Sequence, residues 1–457
     1  MKPTTLSVIA ELCGGTLRGG DGTRVVTSVN TDSRKITEGE VFIALIGEKF
    51  DAHDFIPQVA QAGVAAVIVS RVAPGWESLP CAVIEVGDTL LALQKLATGY
   101  RHLHKPVVIG ITGSNGKTST KDFTRAVMSK KFKVCATIGN LNNHIGLPLS
   151  ILRLGAQDDC CILEMGMNHA GEIKVLTDIA QPDAGIVTNI GVAHIEYLGS
   201  REAIAKEKGT LAEAVPADGW VVLNANDEFT ASITACTRAR VVTAGIGRGD
   251  VSAIELKPGP DGTSFTLDFG GERVATYLPV PGEHMVGNAA LAAATGWKFG
   301  IAPQDIADAL RGVTLTGGRL ETKHVAGVTF LDDSYNANPD SMRAGLRTLA
   351  SLGGAGRRIA VLGRMGELGE HAVPEHRSLG QFAAGLNLAA VFTVGDEAAL
   401  ISDAAHEQSA SLTTTNFPTH GECAAHLRSY LNKGDVVLLK GSRSAGMEKI
   451  LAHYQSS

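Results

Sequence analysis

Short apolar runs ending at a glycine punctuate the chain: VVIGITG (107–113), CCILEMG (160–166), GIVTNIG (185–191), IAVLG (359–363) and VFTVG (391–395). Unbroken apolar runs of this length read as strands buried on both faces, and the terminal glycine lets the backbone turn sharply. Helical patterns follow most of them, which predicts repeated β-α units around parallel sheets. The first hundred residues repeat the theme on a smaller scale, with VFIAL (41–45), AAVIVS (65–70) and CAVIEV (81–86) alternating with helices. RHLHKP (101–106) breaks that pattern, and Pro106 opens the strong strand that follows. From 250 to 281 the pattern turns alternating and turn-rich (SFTLDF, ERVATYLPV), which predicts antiparallel strands. An alanine-rich helix, 282–300, closes that stretch, and TLTGGR (314–319) is a second break before a third β-α series. The expected fold is α/β in three domains. These are a small N-terminal α/β domain (1–104), a central domain (105–318) and a C-terminal Rossmann-like β-α domain (319–457). The central one should carry a P-loop-type, mostly parallel sheet with helices on both faces. Ligands of such sheets bind beyond the carboxyl ends of the strands, so chemistry is expected just after each run.

Composition narrows the classes. At 457 residues the chain is too long for one core at ~100–200 residues per domain. Hydrophobic residues at 44% and charged residues at 19% give a globular balance. A net charge of −6 argues against holding nucleic acid on a general basic surface, though not against a small acidic ligand. Seven scattered cysteines, with no Cys-x-x-Cys pair, read as reduced thiols in a cytosolic protein. The start, MKPTTLSVIAELCGG, does not read as a signal peptide, and no run approaches ~20 apolar residues. A cytoplasmic protein with no membrane span is expected.

The strongest local signal is Gly110-Ile-Thr-Gly113-Ser114-Asn115-Gly116-Lys117-Thr118-Ser119, between a strand and a helix. A glycine-rich turn feeding a helix N-terminus aims backbone N–H groups at one spot, which suits a polyphosphate. Lys117 would neutralise the outer phosphates, and the Thr118 hydroxyl would face magnesium. The spacing departs from strict G-x4-G-K-[ST], because Ile111 takes the first glycine position. An ordinary strand-to-helix turn is the bland reading.

Glu164, in an apolar strand, and His194, after another, fall on successive β-α units beyond this loop. Magnesium takes oxygen ligands and keeps several waters, so one or two carboxylates beside phosphates suffice. A buried ion pair and a core histidine are the competing readings. Lys206 and Lys208 read as a solvated helix face, with Glu202–Lys206 as an i,i+4 pair. Asp332-Asp333-Ser-Tyr-Asn-Ala-Asn-Pro339 packs acidic, amide and hydroxyl groups into a turn, a polar ligand site or a plain Asx-turn.

Taken in order, GITGSNGKT, GNLNNHIGLPLS (139–150), LEMGMNHAGEI, NIGVAHIEYLGS…AKEKG, GEHMVGNAALAA, GGR, DDSYNANPDSM and LLKGSRSAGMEKI resemble the Mur ligases. That family makes amide bonds of peptidoglycan precursors at the expense of ATP. The resemblance runs over essentially the whole chain, including TDSRKITEGEVFIALIGEKFDAHDF (31–55). NHAGEI, SYNANPDSM and ELGE are most similar to members that join D-alanyl-D-alanine to a UDP-N-acetylmuramoyl-tripeptide. No Asp-Asn-Pro-Arg element of the diaminopimelate- or lysine-adding members is found. In GRMGELG (363–369), Arg364 stands where the family pattern has Asp.

The resemblance implies roles. Lys117 and Thr118 would hold the β/γ-phosphates of ATP and a first magnesium, and Glu164 and His194 a second. Lys208 falls where the family carries a lysine carbamylated by carbon dioxide. Asn288, Arg319 and Asp333 match positions contacting adenine, phosphate and ribose, with Tyr335, Asn336 and Asn338 adding to that site. Asn140, Asn142 and Asn143 would line the site near the acyl group of the sugar nucleotide. Ser33, Arg34 and Lys49 are candidates for the uridine diphosphate. Lys440, Ser442 and Arg443 would meet the dipeptide or the phosphates. A monomer is expected. Another member of the family, of the diaminopimelate- or lysine-adding or the folylpolyglutamate type, and a P-loop ATPase module remain as alternatives.

Overall fold

The computed structural model describes residues 1–456. Besides a two-stranded antiparallel ribbon of Thr4–Thr5 and Val25–Val26, three larger sheets follow one another along the chain. The first has five strands in the order Thr16–Arg18, Ala82–Glu85, Ala66–Val69, Val41–Ile43, Val29–Asn30, and only the pairing of the first two is antiparallel.

The second sheet has nine strands and is built around β1 (Val107–Thr112), with β2 (Cys160–Glu164) and β3 (Ala184–Val187) parallel on either side. Between β1 and β2 runs helix α1 (Lys117–Met128); α2 (Glu172–Ala180) follows β2 and α3 (Arg201–Ala214) follows β3. The antiparallel stretch expected over 250–281 is present as Val251–Gly259, Gly262–Asp268 and Arg273–Leu278. It joins the same sheet, because Val251–Gly259 also pairs in parallel with Arg240–Ile246. Helix α4 (Glu283–Lys298) then packs its alanine face into the core, where a bulkier stripe would not fit beside α1.

The third sheet has six strands. Glu321–Val325 forms a hairpin with β4 (Val328–Asp333) through Ala326 and Gly327, both at positive φ, as a two-residue hairpin turn requires. Helix α5 (Pro339–Ser351) follows, started by Asn338 and Ser341 in a capping box with proline at its first position. Next come β5 (Arg358–Leu362) and, later in sequence, β6 (Val436–Lys440). The order places β6 between β4 and β5, all parallel. One buried apolar cluster runs from Ile109 through Met285 to Leu331 and Leu438, joining the second and third sheets. All seven cysteines are free. Among the described residues no helix is long and apolar enough to cross a membrane.

Candidate active site

The carboxyl ends of β1, β2 and β3 face those of β4, β5 and β6 across a cavity of about 920 Å³. The floor of this cavity is the loop into α1. Gly113 (φ 150°) and Gly116 (φ 80°) hold backbone that side chains rarely adopt. A Cβ on Gly113 would lie 1.8 Å from Thr188 Oγ1, and one on Gly116 would lie 2.6 Å from the Asn288 amide. The loop is thus pressed against its neighbours with no room for a methyl group. Gly116 supplies no side-chain cap, so the first N–H groups of α1 remain open to the cavity, an arrangement that favours an anion.

Charged groups converge above this loop. Lys117 Nζ donates to Gly113 O at 2.7 Å. Burial lowers the pKa of its ammonium, Arg319 adds to the lowering, and Glu164 and Glu367 oppose it. Thr118 Oγ1 donates to Glu164 Oε2 at 3.0 Å and accepts from Arg319 Nη2 at 3.1 Å. Asn142 Nδ2 donates to the other Glu164 oxygen at 2.9 Å. Arg319 stacks on the Tyr335 ring, 4.1 Å from its centroid, and its Nε is buried without a partner. Lys440 Nζ donates to Asp333 Oδ2 at 2.6 Å; removing one partner of so buried a pair costs about 3–5 kcal/mol. Asn338 Nδ2 reaches across to Asn115 Oδ1 at 2.8 Å, and Asp340 Oδ2 accepts from Val192 N at 3.0 Å.

His194 sits at φ 66° with Nδ1 3.0 Å from Glu367 Oε2, a close polar contact without hydrogen-bond alignment. His194 lowers the pKa of Glu367 further than burial raises it. Lys208 is 1% exposed and has neither a hydrogen bond nor an ion pair among the described residues. Burial drives its pKa well down, and the Lys117 ammonium lowers it further against the pull of Glu207. Lys206 is exposed and carries no ion pair with Glu202 among the described residues. Among those residues, no three His, Cys, Asp or Glu side chains gather to hold a metal ion. An oxygen-seeking cation here would lean on ligand phosphates beside Thr118 and Glu164, which fits magnesium. The open helix N-terminus and the unpartnered Arg319 Nε likewise fit a polyphosphate.

Ser114 through Ser119, Asn140, Asn142, Asn143, Glu164, His194, Asn288, Arg319, Asp333, Tyr335, Asn336, Asn338, Lys440 and Arg443 all line this one cavity. Gly113 serves through its carbonyl. Ser442 is buried behind the wall, its hydroxyl 3.2 Å from Ser444 Oγ. Lys208 is not among the residues lining the cavity. Ser33 and Arg34 stand apart in a short 3-10 turn, with Arg34 paired to Asp32 at 2.8 Å, and Lys49 is on an exposed loop tip.

Sequence reasoning missed four residues. Glu367 and His284 line the cavity, Asn189 Oδ1 accepts from Asn115 N at 2.9 Å, and Asp340 bridges the two sheets. Glu367 follows an apolar run ending at Gly363, so the strand-end rule would have found it. The burial of Lys208 was also legible, since Ile204, Lys208 and Leu211 repeat at helical spacing on the inward face of α3.

Comparison with known proteins agrees with this geometry. The Mur ligase family, catalytic domain, matches residues 25–101; the Mur ligase middle domain matches 111–296; and the Mur ligase, glutamate ligase domain, matches 318–443. The chain is 38% identical over 454 residues to UDP-N-acetylmuramoyl-tripeptide–D-alanyl-D-alanine ligase of Bacillus subtilis, covering 99% of this chain and 98% of that one. Identity to the Escherichia coli protein of the same name is 35% over 463 residues, with 100% and 99% covered. A crystal structure of MurF from Acinetobacter baumannii superposes with a TM-score of 0.91 at 32% identity, covering both chains fully. MurF ligase from Thermotoga maritima, solved in complex with ADP, gives 0.83 at 27% identity, covering 94% of this chain and 97% of that one. Matches over three successive regions, and relatives aligned nearly end to end, lead to one conclusion: the chain belongs to the Mur ligase family.

Proposed function

We propose that this chain is an ATP-dependent ligase joining D-alanyl-D-alanine to a UDP-N-acetylmuramoyl-tripeptide in peptidoglycan precursor synthesis. The observation that carries the reading is the GSNGKT loop, open to a cavity walled by Glu164, Arg319, Asp333 and Lys440. Family membership and the names of its relatives support the substrates.

The tripeptide carboxylate attacks the γ-phosphorus of ATP; an acyl–O–P bond forms and the bond to ADP breaks. The dipeptide amine attacks the acyl carbon, the C–N bond forms, phosphate leaves, and nitrogen gives up its proton. Lys117 and the N–H groups of the loop hold the phosphates, and Arg319 meets charge on the transferring group. Asn288, Asp333, Tyr335, Asn336 and Asn338 seat the nucleoside, while Asn140, Asn142 and Asn143 keep the acyl end in line. Ser33, Arg34 and Lys49 hold the uridine diphosphate beside the first sheet, and Lys440 and Arg443 face the dipeptide, with Ser442 supporting them from behind the wall. Two magnesium ions, held by Thr118, Glu164, His194 and a carbamylated Lys208, would screen charge on the phosphoryl oxygens. Carbamylation suits Lys208: a neutral amine adds to carbon dioxide and loses a proton, and the anion formed attracts Lys117 instead of repelling it. The protein acts as a cytoplasmic monomer.

Phosphate release across a panel of muramoyl peptides and amine acceptors tests this reading. D-alanyl-D-alanine with the UDP-muramoyl tripeptide should stimulate release. A preference for diaminopimelate with the dipeptide precursor would move the chain to a sister activity.

A further inference from the structure

Glu367 and His194 meet at the cavity, Oε2 3.0 Å from Nδ1, and both are held in the left-handed backbone region, at φ 60° and 66°. Non-glycine residues there are strained and persist where the surroundings over-determine them, commonly at ligand sites. Glu367 stands on the loop after β5 and Arg443 on the loop after β6, and these strands are paired neighbours with Leu362 opposite Lys440. Two backbone hydrogen bonds tie the loops together, Gly363 N to Lys440 O and Ser442 N to Arg364 O, both 2.8 Å. A carboxylate and a guanidinium therefore share one rim of the cavity. Among the described residues, the side chain of Glu367 is 52% exposed and touches His194 alone, and Arg443, 67% exposed, has a single ion pair, with Glu448. By contrast Glu164 is engaged by Thr118 and Asn142, and Asp333 by Lys440.

Resting on the ligase reading above, we infer that Glu367 holds the ammonium of the incoming D-alanyl-D-alanine while Arg443 faces its carboxylate. An extended dipeptide separates its two charges by roughly 7 Å, a span that loops from adjoining strands can bracket. Lys117, Arg319 and Lys440 would repel an arriving ammonium, so a counter-charge on the rim is what lets the amine approach the acyl carbon. Arg364, where the family pattern has Asp, lies outside this pair: it is tied to Glu397 and Ser444.

The test compares two nucleophiles in wild type and Glu367→Gln: D-alanyl-D-alanine, and hydroxylamine, which is uncharged at neutral pH and accepts acyl groups without needing a carboxylate partner. The ratio of kcat/KM for dipeptide to that for hydroxylamine should fall roughly 30-fold or more in Glu367→Gln, with Glu367→Asp recovering part of it. Equal losses with both nucleophiles would overturn the assignment, placing Glu367 in phosphoryl transfer or in structure, and so would no loss with either. If wild type uses hydroxylamine but not the dipeptide, the substrate reading fails instead. The same ratio, taken with whichever charged amine is active, then decides the role of Glu367.

Discussion

On α3 two lysines stand two positions apart and meet opposite surroundings, Lys206 in solvent and Lys208 buried without a partner. Lys208→Ala should lower ligase turnover by ~100-fold or more, while Lys206→Ala stays within about twofold of wild type. Phosphate release measures this, and a carbamate carbon resonance from labelled bicarbonate, lost only in Lys208→Ala, identifies the adduct. His284 offers a stability test. Burial depresses its pKa to about 4, with Lys440 adding to the effect and Asp333 opposing it. The unfolded chain therefore binds the extra proton between about pH 6.5 and pH 4, and the stability present above that window is lost as pH falls through it. His284→Gln should lose less stability than wild type between pH 7 and pH 5, by ~1–2 kcal/mol in denaturant titrations. A slope matching wild type would remove His284 from the acid response.

At the scale of elements, the strand–loop–helix unit from β1 to α1 was legible because its signal is local. Glycines, Lys117 and Thr118 occur in one run whose geometry follows from backbone sterics. The antiparallel stretch was legible too, from its period of two. What could not be read was juxtaposition. Nothing in the chain near His194 announces Glu367, and nothing near Asn115 announces Asn338, because β4 to β6 come from a different sheet. The tightness of the nucleotide loop predicts that Gly113→Ala, forced against Thr188 Oγ1, costs on the order of 1–3 kcal/mol and abolishes ATP binding. Gly87→Ala, with nothing within 4 Å, should stay within about 0.5 kcal/mol of wild type. Chemical denaturation and nucleotide titration of both variants check this.

Across the whole molecule, the second and third sheets meet at Arg319–Thr118, Asn338–Asn115, Asp340–Val192 and Glu367–His194, around the site they share. The connector between them is pinned as well, since Thr316 N donates to Asp122 Oδ2 on α1 at 2.8 Å. Asp122→Ala should free the connector, so limited proteolysis within 314–319 should speed up severalfold in the absence of nucleotide. Cleavage at the wild-type rate would mean the pin does not restrain it. The position of β6 reaches into biosynthesis. It is the latest strand of its sheet to leave the ribosome, yet it occupies the middle, and without it the β4 hairpin and the β5 side share no hydrogen bonds. The first two sheets can settle during translation, but the third waits, with Asp333 lacking Lys440 until residue 440 emerges. A nascent chain stalled before that point holds the nucleotide loop complete while the facing sheet still lacks its central strand.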